Sequence, residues 1–529
     1  MAAPLPASPS GAAALPPVLG PLLSGTSWLA LQVPLQIVFS LWSLRLIVEA
    51  IGPDGAGAYR FAWGFGFFQL LFEFGAGSAL QRQVSDAWTR GDRAAVDRAI
   101  AVGMGFYAAM ALAQAAALLA VAHLAVPHAG FEGASLRLVV GLLWLQAITA
   151  PCFGVSVVVS SVLQAARRYD VVPRCAVAIT VLRFAVLVLG VKADIDFFWV
   201  VVAQTAVLVA LRIGPALWVM VRELGHAPHF RGARWADYRA LGRFGSYMAM
   251  IQIGMVLADR VDTTILGFVL ARPGPHVAAY DVVSKPFLLL RQSGTMLASL
   301  VIPAVAGLAA AGDGRGLERV KYDGTRLHVA VLLPVGLLAW IHAGPFLSLW
   351  FGQGLGYDAA ELAPLMRLFL IATIPLALAV PVQMAIGMGK IEVIALAALA
   401  GSLVNLPISG YLTARLGVAG VIWGTVLTTL FADLLVPGVY VFRVLEVEPR
   451  AYLQRALGAP LAGAATLIAL TWALRLILPV TSPGPTPSAL VLPLILHLAV
   501  GMLAYLAGYS LVSAGRGDIA QLVAKLRQR

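Results

Sequence analysis

The same polar skeleton occurs twice in this chain, over residues 45 to 98 and again over 259 to 326, displaced by about 221 positions from Tyr59 to Tyr280. In the first copy Gly57-Ala58-Tyr59 opens an apolar run that ends at Gly91-Asp92-Arg93-Ala94-Ala95-Val96-Asp97-Arg98. In the second, Ala278-Ala279-Tyr280 opens a run that ends at Gly312-Asp313-Gly314-Arg315-Gly316-Leu317-Glu318-Arg319. Gly-Asp-Arg loops are common between helices; the matching Tyr to Gly-Asp interval and the acidic-then-Arg pair that follows at matching offsets are what mark a repeat. Duplication of whole helix pairs implies two related bundles with a substrate site between them, the architecture of a membrane transporter.

The surroundings of the repeat require a bilayer. With 60% apolar and 12% charged residues and a mean hydropathy of +0.88, there is too little polar surface to cover a water-soluble particle of 529 residues. Apolar runs of about 20 residues, the length a helix needs to cross, recur along nearly the whole sequence. Alternating barrel strands are not visible, so the runs read as helices, which satisfy their own backbone hydrogen bonds. The net charge of +12 is spread between the apolar runs rather than gathered in one patch, which argues against nucleic acid and for topology signals. Cys152 and Cys175 have neither CxxC nor Cys/His spacing and are expected to be unpaired thiols.

The expected fold is an all-α polytopic membrane protein of about fourteen transmembrane helices. Two pseudo-symmetric six-helix lobes are followed by two C-terminal helices. Their centres fall near residues 37, 69, 112, 150, 184, 209, 256, 290, 336, 376, 401, 429, 468 and 501. The organisation reads as a disordered cytoplasmic tail (1–23), an N-lobe (24–220), a cytoplasmic interlobe linker (221–244), a C-lobe (245–442), a second linker (443–456), helices thirteen and fourteen (457–512) and a basic cytoplasmic tail (513–529). With both termini cytoplasmic, inside loops hold most of the arginines and lysines, and outside loops only Arg60, Arg137, Lys192, Arg272 and Arg415. The 221–244 linker spaces His229, Phe230, Trp235, Tyr238, Arg239 and Arg243 as an amphipathic interfacial helix would. Gly52-Pro53-Asp54-Gly55 and Arg272-Pro273-Gly274-Pro275 read as turns, and Pro34, Pro334, Pro375 and Pro381 as helix bends.

Ionisable residues inside apolar runs are costly, about 2.5–3.5 kcal/mol at the bilayer centre, and usually face a cavity or a partner. In the first lobe Arg45 and Glu49 share a helical face at i,i+4, Arg60 starts span two and Glu73 lies within it. In the second, span seven holds Asp259, Arg260 and Asp262, and span eight holds Lys285 and Arg291. Arg45, Arg60, Arg260, Lys285 and Arg291 therefore form a candidate cationic cavity suited to a phosphate or diphosphate. Glu49, Glu73, Asp259 and Asp262 are candidates for coupling or charge balance. Plainer readings stand beside these: Arg45 pairing with Glu49, Arg60 snorkelling to water, a neutralised cluster around Arg260, and Lys285 pairing with Asp281. Arg212 and Asp433, also about 221 apart and of opposite charge, are a candidate gate, or are each solvated at helix ends. Amides such as Gln146 and Gln204 suit interhelical bonding or sugar hydroxyls. No nucleophile elbow, phosphate-binding loop or HExxH metal motif is present. His123, His128, His342 and His497 are expected at membrane interfaces. The residues therefore indicate neither an enzyme nor a cofactor or metal site.

Several motifs together resemble the Wzx-type polysaccharide flippases of the multidrug/oligosaccharidyl-lipid/polysaccharide exporter superfamily. They are Leu46 to Tyr59, Phe74-Gly75-Ala76-Gly77-Ser78-Ala79-Leu80-Gln81-Arg82, Asp262-Thr263-Thr264-Ile265-Leu266-Gly267 leading to Ala279-Tyr280, Leu349-Trp350-Phe351-Gly352, and Leu416-Gly417-Val418-Ala419-Gly420. The resemblance covers most of residues 25 to 455. It implies alternating-access export of a polyprenyl-diphosphate-linked glycan, an O-antigen or exopolysaccharide repeat unit, across the bacterial cytoplasmic membrane. On this reading the cations hold the diphosphate, the carrier tail stays among membrane lipids, polysaccharide polymerase machinery acts downstream, and a proton or sodium ion is a candidate coupling ion through Asp259 or Asp262. Competing readings are a drug/cation antiporter of the same superfamily, a peptidoglycan-precursor flippase and, from a different class, a membrane-embedded polysaccharide polymerase or acyltransferase. The basic set argues against the antiporter. The duplicated lobes, and the lack of a large outer loop or an embedded polar His site, argue against the enzymes.

Overall fold

The computed structural model describes residues 19–66, 68–69, 76–166, 168, 170–239, 261–351, 357–480 and 490–527. Among these there is no strand. Among the described residues eleven helical spans are long and apolar enough to cross a bilayer. Each contains one of the expected centres from 112 to 209 and from 290 to 501. The centre at 37 falls in helix α1 (Leu19–Gly64), whereas that at 256 lies outside the described residues. The centre at 69 falls where the described chain is interrupted. This is a multi-pass, all-helical membrane protein.

In chain order the helices that matter below are α1, α2 (Ala76–Thr89), α3 (Arg93–Ala120), α4 (Gly133–Ala165), α5 (Val171–Lys192), α6 (Phe197–Arg222), α7 (Asp262–Val269), α8 (Pro273–Ser299), α9 (Val301–Ala310), α10 (Gly314–Arg319), α11 (Thr325–Ile341), α12 (Ala343–Phe351), α13 (Ala359–Ile371), α14 (Ala379–Gly387), α15 (Glu392–Leu416), α16 (Val418–Thr429), α17 (Val436–Val444), α18 (Pro449–Ala451), α19 (Gly458–Ile477), α20 (Val491–Leu511) and α21 (Ser513–Arg527). Contacts divide the chain into two compact units, one of Met1–Ser43, Gly75–Leu112 and Thr149–Gly245, the other of Leu44–Phe74, Ala113–Ile148 and Ser246–Arg529.

The duplicated Gly-Asp loop is built the same way in both copies. Gly91 (φ 69°) and Gly312 (φ 66°) take the left-handed conformation that a side chain would strain. Asp92 and Asp313 then donate their backbone N–H back to Ala87 O (3.1 Å) and Leu308 O (3.0 Å), closing the preceding helix. The same aspartates cap the next helix, accepting from Ala95 N (2.9 Å) and Gly316 N (2.9 Å). One dipeptide thus ends one helix and starts another, which is why it recurs at the same place in the repeat.

In the first unit the core is aliphatic, centred on Leu80, Ile100, Val158, Val162, Leu163 and Met220. Its interhelical bonds include Gln204 Nε2 to Arg183 O (2.8 Å). The linker departs from the expected helix. Residues 225–230 are non-helical and Gly225 and Gly232 have φ of 73° and 90°, so His229 and Phe230 lie off any helix and helix resumes only at Trp235. Two left-handed glycines and Pro228 override the amphipathic spacing. Beside it His226 Nδ1 lies 2.6 Å from Asp97 Oδ1. Below the spans Arg168 pairs with Glu223 and Asp170. The hydrogen bond to Glu223 raises the guanidinium's pKa against the cost of burial.

In the second unit α19 and α20 approach closely because Gly463 and Gly508 leave room for Tyr505 and Thr466, and Thr466 Oγ1 donates to Ala504 O (2.8 Å). This hairpin packs on α11 through Leu338, Ile341, Leu467 and Tyr505. His342 and His497, expected at an interface, are instead buried (1% and 0% exposed), with ring centroids 5.1 Å apart. Docking of the C-terminal hairpin covers them. His123 is exposed and accepts from Trp144 Nε1 (3.1 Å), as an interfacial residue does. Cys152 and Cys175 are unpaired and half-buried.

Candidate functional site

The second unit brings the two copies of the repeat into direct contact. Both turn expectations correspond to helix starts. Gly52 (φ 68°, ψ 175°) kinks α1, and Arg272 (φ 51°) precedes α8. In each case a proline follows, where its missing N–H costs nothing. Five residues into the first segment Gly57 meets α8. A methyl group there would overlap the Gly274 carbonyl, and one on Gly274 would sit 2.6 Å from Asp54 Cα. The helices therefore touch backbone to backbone, a distance that only glycine permits.

That crossing sets up an ion pair. Arg60 follows Tyr59, and Asp281 follows Tyr280, so the two occupy equivalent positions of the repeat with opposite charge. Arg60 Nε lies 2.7 Å from Asp281 Oδ1, with the side chains 22% and 5% exposed. One turn along α8, Lys285 Nζ lies 3.2 Å from the same Oδ1. The buried carboxylate of Asp281 is thus shared by Arg60 and Lys285. A second acid, Asp262, is buried and accepts from Oη of Tyr280, next to Asp281 in sequence (2.6 Å), and from Thr425 Oγ1 (2.8 Å). Gln146 Nε2 donates to Ala62 O (2.9 Å). Phe61, the residue after Arg60, packs against Phe65, Phe131 and Phe268 at 5.1, 4.9 and 5.7 Å between centroids.

The other expected site residues are spread out. Arg291 Nη2 stands 4.0 Å from Asp433 Oδ2, and Asp433 belongs to a π-helical turn, Leu430–Leu435, a distortion frequent at functional positions. Arg45 pairs with Glu49 (2.7 Å) within its own helix, both half exposed. Arg212, the expected partner of Asp433 in a gate, lies in the other unit with its guanidinium 5.4 Å from the Phe153 ring. Glu73, Asp259 and Arg260 lie outside the described residues. Among the described residues no group of three or more His, Cys, Asp or Glu is arranged to hold a metal.

Three residues that complete the cluster were not selected from sequence: Asp281 as the partner of Arg60, and Tyr280 and Thr425 around Asp262. The repeat itself carried the signal for the first. Aligning Tyr59 on Tyr280 places Arg60 on Asp281 as opposite charges at equivalent positions, which nominates the pair without showing that it meets. Thr425 has no such signal, because an isolated threonine in an apolar helix is ordinary.

The fold is shared with solved membrane transporters. The lipid II flippase MurJ, in its inward closed conformation, superposes with a TM-score of 0.71 at 12% identity, over 91% of this chain and 98% of that one. An inward-facing multidrug resistance transporter of the MATE family and MOP superfamily superposes with a TM-score of 0.62 at 13% identity, over 78% and 94%. By sequence, a Bacillus subtilis protein described as uncharacterized membrane protein EpsK is 26% identical over 240 residues. That match spans 43% of this chain and 44%, less than half, of EpsK. No family model matches the chain.

Proposed function

We propose that this protein is a flippase that moves a polyprenyl-diphosphate-linked oligosaccharide, an O-antigen or exopolysaccharide repeat unit, across the bacterial cytoplasmic membrane, with both termini cytoplasmic. The observation that carries the reading is the Arg60–Asp281–Lys285 cluster, placed where the two copies of the repeat cross in a fold shared with a lipid II flippase. A diphosphate presents paired oxyanions to which guanidinium and ammonium groups donate charge-assisted hydrogen bonds. Asp281 holds both cations in place when no diphosphate is bound. An arriving diphosphate competes with Asp281 for these cations, so binding exchanges an internal ion pair for an external one and biases the contact between the repeats. Substrate moves the conformational equilibrium only through such a difference in contacts between states. Arg291, 4.0 Å from Asp433, is a further cation on the same helix along which the head group passes. The carrier's hydrocarbon tail remains in the bilayer while the sugars cross in the lumen.

The test is deletion of the gene followed by analysis of lipid-linked oligosaccharides by leaflet. Complete repeat units should accumulate on the cytoplasmic leaflet, and be cleared by the wild-type gene but not by Lys285→Gln. Units already on the outer leaflet, with polymer missing, would instead indicate a polymerase or modifying enzyme. A second reading, a drug or cation antiporter, is favoured by buried Asp262 and its two hydroxyl donors. It predicts no glycan change on deletion and a proton- or sodium-dependent efflux that Asp262→Asn abolishes.

A further inference from the structure

A second arginine pair lies away from this cluster, at the end of the second unit that the arginine and lysine distribution assigns to the outside. Helix α11 ends at Ile341, and two guanidiniums from different helices cap its last carbonyls. Arg367 of α13 donates through Nε to Trp340 O (3.2 Å), and Arg475 of α19 through Nη2 to Ile341 O (2.6 Å). A helix C-terminus attracts cations, which accounts for one nitrogen of each. It does not account for the rest. A guanidinium carries five N–H donors, and Arg475 Nε is buried with no hydrogen-bond partner. Both arginines also line one cavity of about 390 Å³, together with Gly344, Pro345, Ala360 and Val480. The described residues that line it include no carboxylate. Two like charges turned onto one small cavity repel each other unless something negative stands between them.

We infer that the Arg367–Arg475 cavity binds a phosphate-class oxyanion at the outer membrane face. Two guanidinium forks from different helices suit the several oxygens of a phosphate or diphosphate, which each fork can engage in bidentate fashion. The cavity falls within the size range of small-ligand sites. Its two arginines join α13 to α19, so an occupant ties the C-terminal hairpin to the duplicated core. The oxyanion comes either from solution or from a lipid head group in the outer leaflet. The inference stands without the flippase reading, because none of its residues belongs to the Arg60 cluster.

The test uses the full chain in nanodiscs of zwitterionic lipid. Isothermal titration with inorganic pyrophosphate, and native mass spectrometry of retained phosphatidylglycerol, are compared for wild type, R367Q/R475Q, R367K/R475K and Lys285→Gln. The Gln pair is expected to lose about tenfold or more in affinity for pyrophosphate, for the lipid, or for both. The Lys pair should keep measurable binding, which separates lost charge from lost folding. Lys285→Gln should leave this component unchanged, which separates it from the transport cluster. Loss confined to pyrophosphate assigns a soluble anion, and loss confined to the lipid assigns a head group. Wild-type binding of both by the Gln pair, or its loss in Lys285→Gln alone, overturns the inference.

Discussion

Two buried arginine–aspartate clusters in the same unit differ in how fully each guanidinium is committed. Arg326 commits four of its five donors. Nε and Nη2 grip Asp518 in bidentate fashion (2.7 and 2.8 Å), and Nη1 reaches Asp323 Oδ1 (2.9 Å) and Arg455 O (3.1 Å). Tyr509 Oη closes the far side of Asp518 at 2.5 Å. Arg60 instead meets Asp281 through Nε, and that carboxylate is shared with Lys285. The first cluster holds one cation between two carboxylates and ties α21 to α11. In the second, Arg60 and Lys285 share the carboxylate of Asp281, so an arriving anion competes with a divided partner. A buried arginine is therefore no marker of a site by itself; the commitment of its donors and the charge of its neighbours decide.

The comparison breaks most visibly through stability. Asp518→Ala leaves Arg326 buried beside Asp323 alone and is expected to cost about 3–5 kcal/mol. Thermal unfolding in detergent would read this, with α21 becoming open to protease. An unchanged melting temperature would mean that the Arg326 cluster does not hold α21 in place. Gly57→Ala comes next, at about 1–3 kcal/mol, because its methyl group meets the Gly274 backbone, which cannot rotate away. A fall in both melting temperature and transport is expected, and normal behaviour would mean the helices do not cross so closely. The Arg60/Asp281 double-mutant cycle should then show a coupling of about 0.5–3 kcal/mol, while Lys285→Gln, with folding intact, lowers transport about tenfold. If stability falls and transport does not, the Arg60 cluster is structural like that of Arg326.

The pH dependence gives a smaller effect. Burial pushes the Asp518 carboxyl up, but the hydrogen bonds from Arg326 and Tyr509 outweigh it and hold its pKa below the usual carboxylate range. A carboxyl depressed in the folded state adds stability above its unfolded pKa and loses it as pH falls through the folded one. Wild type should thus lose stability on acidification below about pH 4, with a shallower slope in Asp518→Asn. The smallest effect belongs to Arg45→Ala, about 0.3–0.5 kcal/mol, since that pair is local and half exposed.

Much of the framework was legible because it depends on short-range chemistry. Apolar runs locate spans wherever a helix must hide its backbone from lipid. Gly91-Asp92 and Gly312-Asp313 mark helix ends because a left-handed residue and a capping carboxylate are local needs. The Arg45–Glu49 pair follows from helical spacing alone. The linker of 221–244 misled because amphipathic spacing was read without its glycines.

The membrane class, the helical spans and the duplication follow from the order of residues alone, because all are properties of neighbouring residues in one solvent. Tertiary structure alone decided that Arg60 meets Asp281, that Asp262 meets Thr425, that His342 and His497 are buried, and that Arg367 and Arg475 share a cavity. Each of those depends on which helix faces which. Within a uniformly apolar surface, hydrophobicity does not specify that choice, and close glycine contacts and buried polar partners do.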